Sequence, residues 1–248
     1  MAFGATRTIN TASGDIRINS VISGAGGLTK SGTEQLVLSA TNTYTGTTTV
    51  SGGTLAVNGS IGSQFGTTVQ TGAILQGSGS INSSVTIQNG GTLASGNSIE
   101  SLATGALSLE ALSTFVYEVD SSAALGVAGD LTAVTGNLSL NLTNAAILTL
   151  TELGAGSWTD GDKLTLISYS GVWNGGLFDF GGVIADDSAF TFSGKGWILN
   201  YNDTVAGTNF TSDLTGTSFV TMTAVAIPEP SAALLGCLAA LLLLRRRR

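Results

Sequence analysis

The chain contains 248 residues, of which 35 are glycine, 2 are proline and none is histidine. Without histidine, serine–histidine and cysteine–histidine nucleophile pairs and histidine-based zinc sites are excluded. Residues 1–244 hold 5 basic and 16 acidic residues, a net charge of −11, because the other four arginines form the C-terminus. A segment with this negative charge repels the phosphate backbones of nucleic acids, so we expect no nucleic-acid binding.

The composition and the N-terminal residues indicate β-structure. Glycine is about twice as frequent as its usual share of roughly 7%, which favours many tight turns. Lysine and glutamate, common on helical surfaces, are scarce. Ile9, Ile16 and Ile18 are separated by polar residues in a strand-like pattern. The N-terminal stretch has no apolar run of signal-peptide length, so we expect no signal peptide within this sequence.

A repeat follows in the first half of the chain. The segments "VSGGTLAV" (50–57), "VQTGAILQ" (69–76) and "IQNGGTLA" (87–94) each combine a β-branched residue, a glycine turn and a short apolar step. Their leucines, Leu55, Leu75 and Leu93, are 20 and 18 residues apart. A period near 19 residues is shorter than the helical repeats of 33 residues or more. It suits one coil of a right-handed parallel β-helix, in which the three leucines form one interior row.

The physical chemistry of a β-helix agrees with this composition. Glycine and asparagine tolerate the positive φ angles of corners, and serine and threonine suit outward strand positions. Proline, which removes a ladder hydrogen bond, is absent before residue 228. The alternative is an antiparallel sandwich with glycine-rich hairpins.

Residues 22–59, "ISGAGGLTKSGTEQLVLSATNTYTGTTTVSGGTLAVNG", resemble the β-strand repeat associated with autotransporter passenger domains. The resemblance covers nearly the whole motif once and then fades. It implies a β-helical, extracytoplasmic stalk or surface protein and no chemistry.

Strand-like alternation continues over residues 113–225, where the aromatic residues concentrate. We therefore predict a β-helix over residues 1–112 and a continued solenoid with an aromatic-rich cap over 113–225. A cap is required because the last coil exposes an unpaired edge and an apolar cross-section. The rings favour a plug over a sugar-stacking platform. They include Trp158, Tyr169, Trp173, Phe178, Phe180, Trp197 and Tyr201.

Paired carboxylates are the one catalytic option left, since a glycosidase needs only two. The candidates are Asp160 with Asp162 and Asp186 with Asp187, but both pairs lie in turn-like sequence, where aspartate bonds its own backbone. "DGD" (160–162) lacks the repeated acidic ligands of known calcium loops. We therefore expect no enzymatic activity, no catalytic or metal-binding residues and no cofactor.

The C-terminus, residues 226–248, predicts a membrane segment. Residues 231–244 are uncharged, and Arg245, Arg246, Arg247 and Arg248 follow directly. A 14-residue helix is about 21 Å long, short of a roughly 30 Å hydrocarbon core. The arginine side chains can extend to the lipid headgroups, and local thinning of the bilayer can compensate for the short helix. We therefore expect a single transmembrane helix. Clustered arginine stays on the cytoplasmic side, which places the body on the opposite face.

The tail closely resembles the PEP-CTERM sorting signal of Gram-negative bacteria. Pro228, Glu229 and Pro230 match its signature, residues 231–244 its membrane segment and the arginines its basic end. The resemblance implies processing by an exosortase, a membrane-embedded cysteine transpeptidase-like enzyme, often in species that make exopolysaccharide. The tail is then a temporary inner-membrane anchor, and the protein ends at the cell surface or outside the cell.

These observations predict an exported, non-enzymatic structural or adhesive protein of the cell surface or extracellular matrix. One alternative is binding of exopolysaccharide through the aromatic half, or of ice through threonine rows, although no Thr-x-Thr pattern recurs from coil to coil. The other is a β-helical enzyme that cleaves polysaccharide, which the missing histidine and the few basic residues disfavour.

Overall fold

The computed structural model describes residues 1–96, 98–209, 214 and 216–227, which form 25 strands. In chain order, the first fifteen are β1 (Arg7–Asn10), β2 (Ile16–Ile18), β3 (Leu28–Ser31), β4 (Gln35–Leu38), β5 (Thr41–Asn42), β6 (Thr48–Val50), β7 (Gly53–Val57), β8 (Ser60–Ile61), β9 (Thr67–Val69), β10 (Ala73–Gln76), β11 (Ser80–Ile81), β12 (Val85–Ile87), β13 (Thr92–Ala94), β14 (Ser101–Thr104) and β15 (Leu107–Leu109). The other ten are β16 (Thr114–Val119), β17 (Leu131–Val134), β18 (Leu138–Leu140), β19 (Ala146–Glu152), β20 (Lys163–Tyr169), β21 (Phe178–Asp179), β22 (Val183–Ile184), β23 (Ser188–Phe192), β24 (Lys195–Asp203) and β25 (Ser218–Val225). A short 3-10 helix, Leu125–Val127, lies between β16 and β17.

The strands form three sheets that run along the molecule. Sheet 1 has the order β1-β3-β6-β9-β12-β15-β18, and sheet 2 has the order β2-β4-β7-β10-β13-β16-β19-β21-β22. Sheet 3 has the order β23-β24-β25-β20-β17-β14-β11-β8-β5. Neighbours from β1 to β21 pair in parallel, as in β4 with β7 and β7 with β10. The chain therefore visits the sheets in turn, one coil after another. The predicted parallel β-helix is confirmed, and the sandwich alternative is wrong.

The interior is built from rows of identical or similar side chains in register. Leu55 pairs with Leu75, and Leu75 pairs with Leu93. All three side chains are fully buried. The row begins earlier, at Ile16 and Leu36, and continues into Phe115. The predicted leucine row is confirmed, and its burial removes apolar surface from water between successive coils.

Corners between sheets 1 and 2 use glycine at positive φ. When the repeats are aligned on their leucines, Gly52, Gly72 and Gly90 occupy the same position, three residues before each leucine. Gly72 and Gly90 have φ of 75° and 71°. In the preceding coil the positive φ of 58° belongs to Gly53, and not to the aligned Gly52. A Cβ on Gly53 would lie 2.5 Å from the carbonyl oxygens of Glu34 and Gly32, so only glycine fits there.

A buried lysine closes one of these corners. Lys30 lies in register with Val50 in an interior row, and its side chain is fully buried. Its Nζ donates to the carbonyl oxygens of Ser31, Gly32 and Gly52 at 3.1, 3.1 and 2.7 Å. Burial lowers the pKa of Lys30, although the nearby Glu34 carboxylate partly offsets this. The ammonium group thus ties together the corners of two successive coils.

The C-terminal end is covered by antiparallel strands. β25 pairs with β20, β24 with β25, and β23 with β24, all antiparallel. Two rings from β24, Trp197 and Tyr201, are fully buried against the last coils. Tyr201 stacks on Phe178 with ring centroids 5.9 Å apart, and Phe178 stacks on Phe115 at 5.6 Å. These rings plug the end of the solenoid.

Some predictions about the chain's organisation are not tested by this structure. The predicted boundaries between residues 112 and 113 and between residues 225 and 226 stay predictions. The predicted transmembrane helix, residues 231–244, lies outside the described residues. Within the described part, no helix has the length and apolar character needed to cross a membrane.

Candidate functional site: the hydroxyl ladder of sheet 1

The outer face of sheet 1 carries one hydroxyl residue per strand in a straight row, which we call the hydroxyl ladder. Strand register aligns each residue with the next along the whole sheet. In order the ladder consists of Thr8, Thr29, Thr49, Thr68, Thr86, Ser108 and Ser139. Neighbouring strands are about 4.8 Å apart, so the ladder is roughly 29 Å long.

Strand alternation places the ladder outside. In β6, β9, β12, β15 and β18 the two end residues are buried and the middle residue is partly exposed. Threonine suits this position because its β-branched side chain is favoured in strands while its hydroxyl stays in water. Within the described part of the chain, the Thr49 and Thr68 hydroxyls have no hydrogen-bond partner. Their donors and acceptors are therefore available to a ligand.

A second polar row lies beside the ladder, two residues further along the chain, and from β6 onward its residues directly follow the strands. It is uncharged except at Glu110, and it consists of Asn10, Ser31, Ser51, Gln70, Gln88, Glu110 and Asn141. Together the two rows present hydroxyl and amide groups at a regular spacing. Such a face can hydrogen-bond a ligand that repeats its own hydroxyl groups, such as an extended polysaccharide or an ice surface. It offers no positive charge to an anionic polymer.

The ladder was not predicted, although its signal is present in the sequence. A Thr-x-Thr pattern does not recur from coil to coil, whereas the ladder has a single threonine or serine per coil. Each aligned segment begins at Val50, Val69 or Ile87, and the residue before it is threonine in all three. Extending the repeat alignment by one residue would have found Thr49, Thr68 and Thr86.

The first predicted carboxylate pair is used structurally. Asp160 forms an ion pair with Lys195. Asp162 accepts a hydrogen bond from the Thr159 backbone N–H at 2.7 Å, and so closes a turn. Both side chains lie in the loop between β19 and β20.

The second predicted pair is also committed to the protein. Asp186 accepts from the Tyr201 backbone N–H at 2.8 Å, and Asp187 accepts from the Asn200 side-chain amide at 2.7 Å. The two aspartates hold the turn before β23 against β24. Among the described residues there is no cluster of acidic or thiol side chains that could hold a metal ion.

A third carboxyl, which the sequence analysis did not single out, is the most perturbed. Asp130 is 1% exposed and lines a pocket of about 160 Å³ with Glu118 and Ser95. The pKa of Asp130 is raised to about 8, mainly by burial. Hydrogen bonds from the backbone N–H groups of Glu118 and Glu100 act against this increase, and the negative charges of the two glutamates add to it. The N–H groups reach Oδ2 and Oδ1 at 3.0 and 3.1 Å, so the carboxyl joins sheets 2 and 3. Only the tertiary structure brings these groups together.

The aromatic residues lie mostly inside the cap. Trp158 and Trp197 pack edge to face with centroids 5.4 Å apart, and both are at most 9% exposed. Trp173 is partly exposed but stacks on Tyr201 at 5.1 Å and donates from Nε1 to the Gly176 carbonyl. This arrangement favours the predicted plug over a platform for sugar rings. The predicted sorting-signal residues Pro228, Glu229 and Pro230 and the arginines at 245–248 lie outside the described residues.

A protein-family model matches part of the chain. The passenger-associated-transport-repeat family model matches residues 28–57, which run from β3 to the end of β7. This match supports the predicted autotransporter-associated repeat and fits a surface or secreted β-helical protein. No curated protein matches the chain in a sequence search.

Proposed function

We propose that this chain is an exported, non-enzymatic protein that supplies structure or adhesion at the cell surface or in the extracellular matrix. The observation that carries the proposal is the passenger repeat at residues 28–57, which forms stacked coils of a parallel β-helix. An elongated solenoid presents long regular faces to its surroundings. The carboxylates that sequence reasoning offered for catalysis are all engaged in turns and ion pairs.

The sorting route is part of this proposal. Pro228, Glu229 and Pro230 are recognised by an exosortase-type membrane enzyme, residues 231–244 hold the protein transiently in the inner membrane, and Arg245–Arg248 stay cytoplasmic. Removal of the tail then releases the body outward. The support for this route is the resemblance of the tail sequence to PEP-CTERM signals.

The test changes the signal in the native host. Replacing Pro228, Glu229 and Pro230 together by alanine should leave the protein in the inner membrane, because the apolar segment and the arginines remain. As a matched control, alanine at Leu142, Thr143 and Asn144 changes three consecutive exposed residues of a loop and should leave sorting intact. Mass spectrometry of surface material should show a C-terminus before residue 231. Recovery of intact Arg248 from surface material would contradict processing.

A second candidate function is binding of exopolysaccharide or ice, and the hydroxyl ladder favours it. The ladder is regular over seven strands, uncharged and free of internal hydrogen bonds at Thr49 and Thr68. In this candidate function the binding surface is the outer face of sheet 1, and not the aromatic half that was expected from the sequence to bind exopolysaccharide.

Two matched double variants test this candidate. Thr49→Lys with Thr68→Lys puts two charges on neighbouring ladder positions. Thr92→Lys with Thr114→Lys puts the same two charges on neighbouring, partly exposed positions of sheet 2. Cosedimentation with host exopolysaccharide and adsorption to growing ice are measured for both, with circular dichroism to confirm folding. Loss of binding in the sheet 1 variant alone supports the ladder; equal binding by both variants rules it out.

A further inference from the structure

The outer face of sheet 1 is recessed where the hydroxyl ladder approaches the cap. The ladder residues from Thr8 to Thr86 are all threonines, whereas the last two are Ser108 and Ser139. Serine lacks the γ-methyl group of threonine, so the surface is lower at β15 and β18. A groove of about 250 Å³ lies there, and the residues that line it with the two serines include Glu110, Asn141, Leu142 and Asn174.

Glu110 supplies the hydrogen-bond acceptor of this groove. Its backbone groups are used within the fold, since the N–H donates to the Ile87 carbonyl and the carbonyl accepts from the Ser113 hydroxyl. Its side-chain carboxylate is half-buried and, among the described residues, has neither a hydrogen-bond donor nor a cation beside it. The two carboxylate oxygens can therefore accept O–H groups from a ligand.

Asn141 supplies donors beside this acceptor. Leu109 pairs with Leu140, so the residues that directly follow, Glu110 and Asn141, are neighbours about 4.8 Å apart on adjacent strands. The Asn141 Oδ1 accepts from the backbone N–H groups of Thr143 and Asn144, both at 2.9 Å. These two bonds fix the orientation of the amide, and within the described part of the chain its Nδ2 has no acceptor. Its two N–H groups are left for a ligand.

The end wall of the groove orients a further donor. The Asn174 Nδ2 donates to the Ser139 Oγ at 3.0 Å and to the Leu140 carbonyl at 2.9 Å. Its Oδ1 accepts from the backbone N–H groups of Leu140 and Gly176, so the Asn174 amide is fully used within the protein. Because the Ser139 oxygen already accepts one bond, its own O–H is directed elsewhere and can donate to a ligand.

We propose that this groove binds one neutral sugar residue of an extracellular polysaccharide. Each sugar hydroxyl both donates and accepts, so adjacent ring hydroxyls can donate to Glu110 while they accept from Asn141 and Ser139. The Leu142 side chain, 71% exposed, offers apolar surface to the C–H face of the ring. The groove is smaller than the roughly 300 to 1,000 Å³ of pockets for drug-sized ligands, which suits a single ring. The inference rests on the second candidate function, because the rest of the polysaccharide then follows the ladder.

The charges around the groove select against acidic sugars. Among the described residues that line it there is no lysine or arginine. The three lysines of the chain are held by backbone carbonyls or by aspartates, and the two arginines of residues 1–227 lie in β1 and β2, at the other end of the sheets. The carboxylate of a uronic acid would therefore face Glu110 with no cation between them, and like charges repel.

Isothermal titration calorimetry on the full chain tests the ligand class. The chain is held in a polyoxyethylene detergent, which has no sugar groups, and EDTA removes any cation that could carry the interaction. The probes are cellohexaose, xylohexaose and mannohexaose, which are neutral, and hexagalacturonate, which is acidic. We expect at least one neutral hexasaccharide to bind and hexagalacturonate not to bind. Failure of all three neutral probes, or tighter binding of the acidic one, would overturn the proposal.

Two substitutions test the named groups. Glu110→Gln keeps the size of the side chain and removes its charge, which should weaken neutral binding about tenfold. Glu34→Gln makes the same change at an exposed corner and should have no effect. Asn141→Asp keeps an oxygen for the loop N–H groups but removes the Nδ2 donors, and should lose binding with an unchanged circular dichroism spectrum. Wild-type affinity in either groove variant would contradict the assignment.

Cosedimentation with host exopolysaccharide separates this inference from the ladder. Glu110→Gln and Asn141→Asp should each reduce the amount of protein that sediments with the polysaccharide. If Thr49→Lys with Thr68→Lys abolishes cosedimentation while both groove variants behave as the wild type, the groove is not a sugar site and the ladder function stands. If the wild type binds neither exopolysaccharide nor ice, the second candidate function fails together with the groove.

Discussion

Replacing Leu75 by alanine tests whether the leucine row holds the coils together. Leu75 is fully buried and lies between Leu55 and Leu93 in the interior row of sheet 2. The spacing of its neighbours is set by ladder hydrogen bonds at about 4.8 Å, so the coils cannot close over the space that alanine leaves. The substitution therefore creates a cavity and also loses buried apolar surface.

We expect the free energy of unfolding to fall by about 2 to 5 kcal/mol, the range for fully buried leucine. Ile74→Ala is the matched control, because Ile74 is the adjacent residue, points outward and is only partly buried. Its substitution should cost about 1 kcal/mol, since much of the side chain already contacts water.

Urea denaturation followed by far-ultraviolet circular dichroism measures both variants, with the midpoint and the slope reported separately. Comparable slopes are required for the comparison, because a solenoid can unfold in segments. A loss below about 0.5 kcal/mol for Leu75→Ala, the size of a surface change, would refute the interior row.

Three further substitutions test polar groups inside the fold. Lys30→Met removes the ammonium that bonds three corner carbonyls. It should lower the free energy of unfolding by about 1 to 3 kcal/mol. An unchanged or higher urea midpoint would show that the corners do not need the ammonium. The buried Asn209 amide accepts from the Thr165 N–H at 2.6 Å and donates to the Asp130 carbonyl at 3.0 Å. Asn209→Ala should therefore lower the free energy of unfolding by at least about 2 kcal/mol. A urea midpoint within error of the wild type would contradict this role. Asp130 has its pKa raised in the folded protein to about 8, so its contribution to stability is complete below about pH 4 and is lost as pH rises toward 8. Asp130→Asn should make the urea midpoint depend less on pH between about pH 4 and pH 8. If the midpoint of the variant falls with pH as steeply as that of the wild type, Asp130 is not the source of the pH dependence.

The sequence predicted those features that repeat within a short distance along the chain. The interior row at Leu55, Leu75 and Leu93 was visible because leucine and glycine recur together at nearly constant spacing. Beyond Leu93 the coils lengthen, and Phe115 pairs with Leu148, so the same row continues without the repeat that reveals it. The solenoid persists there because strand pairing tolerates longer loops at the corners.

Other features required the strand register or the tertiary contacts. Outward threonines at Thr49 and Thr68 look like ordinary solvent-facing strand residues until their alignment in successive coils is known. Lysine is usually exposed, yet Lys30 lies in an interior row. Its burial depends on carbonyls from two coils, which no local pattern displays. Asp130 likewise depends on backbone donors far away in sequence.

The central claim, that the body of this protein is displayed outside the cell, is tested most directly by labelling in the native host. Thr68→Cys in the Cys237→Ser background gives a single thiol on the partly exposed outer face of sheet 1. A membrane-impermeant maleimide is applied to intact cells, with a cytoplasmic protein as the control for lysis. We predict labelling of intact cells or of protein in the medium. Labelling that occurs only after the cells are broken would contradict the account.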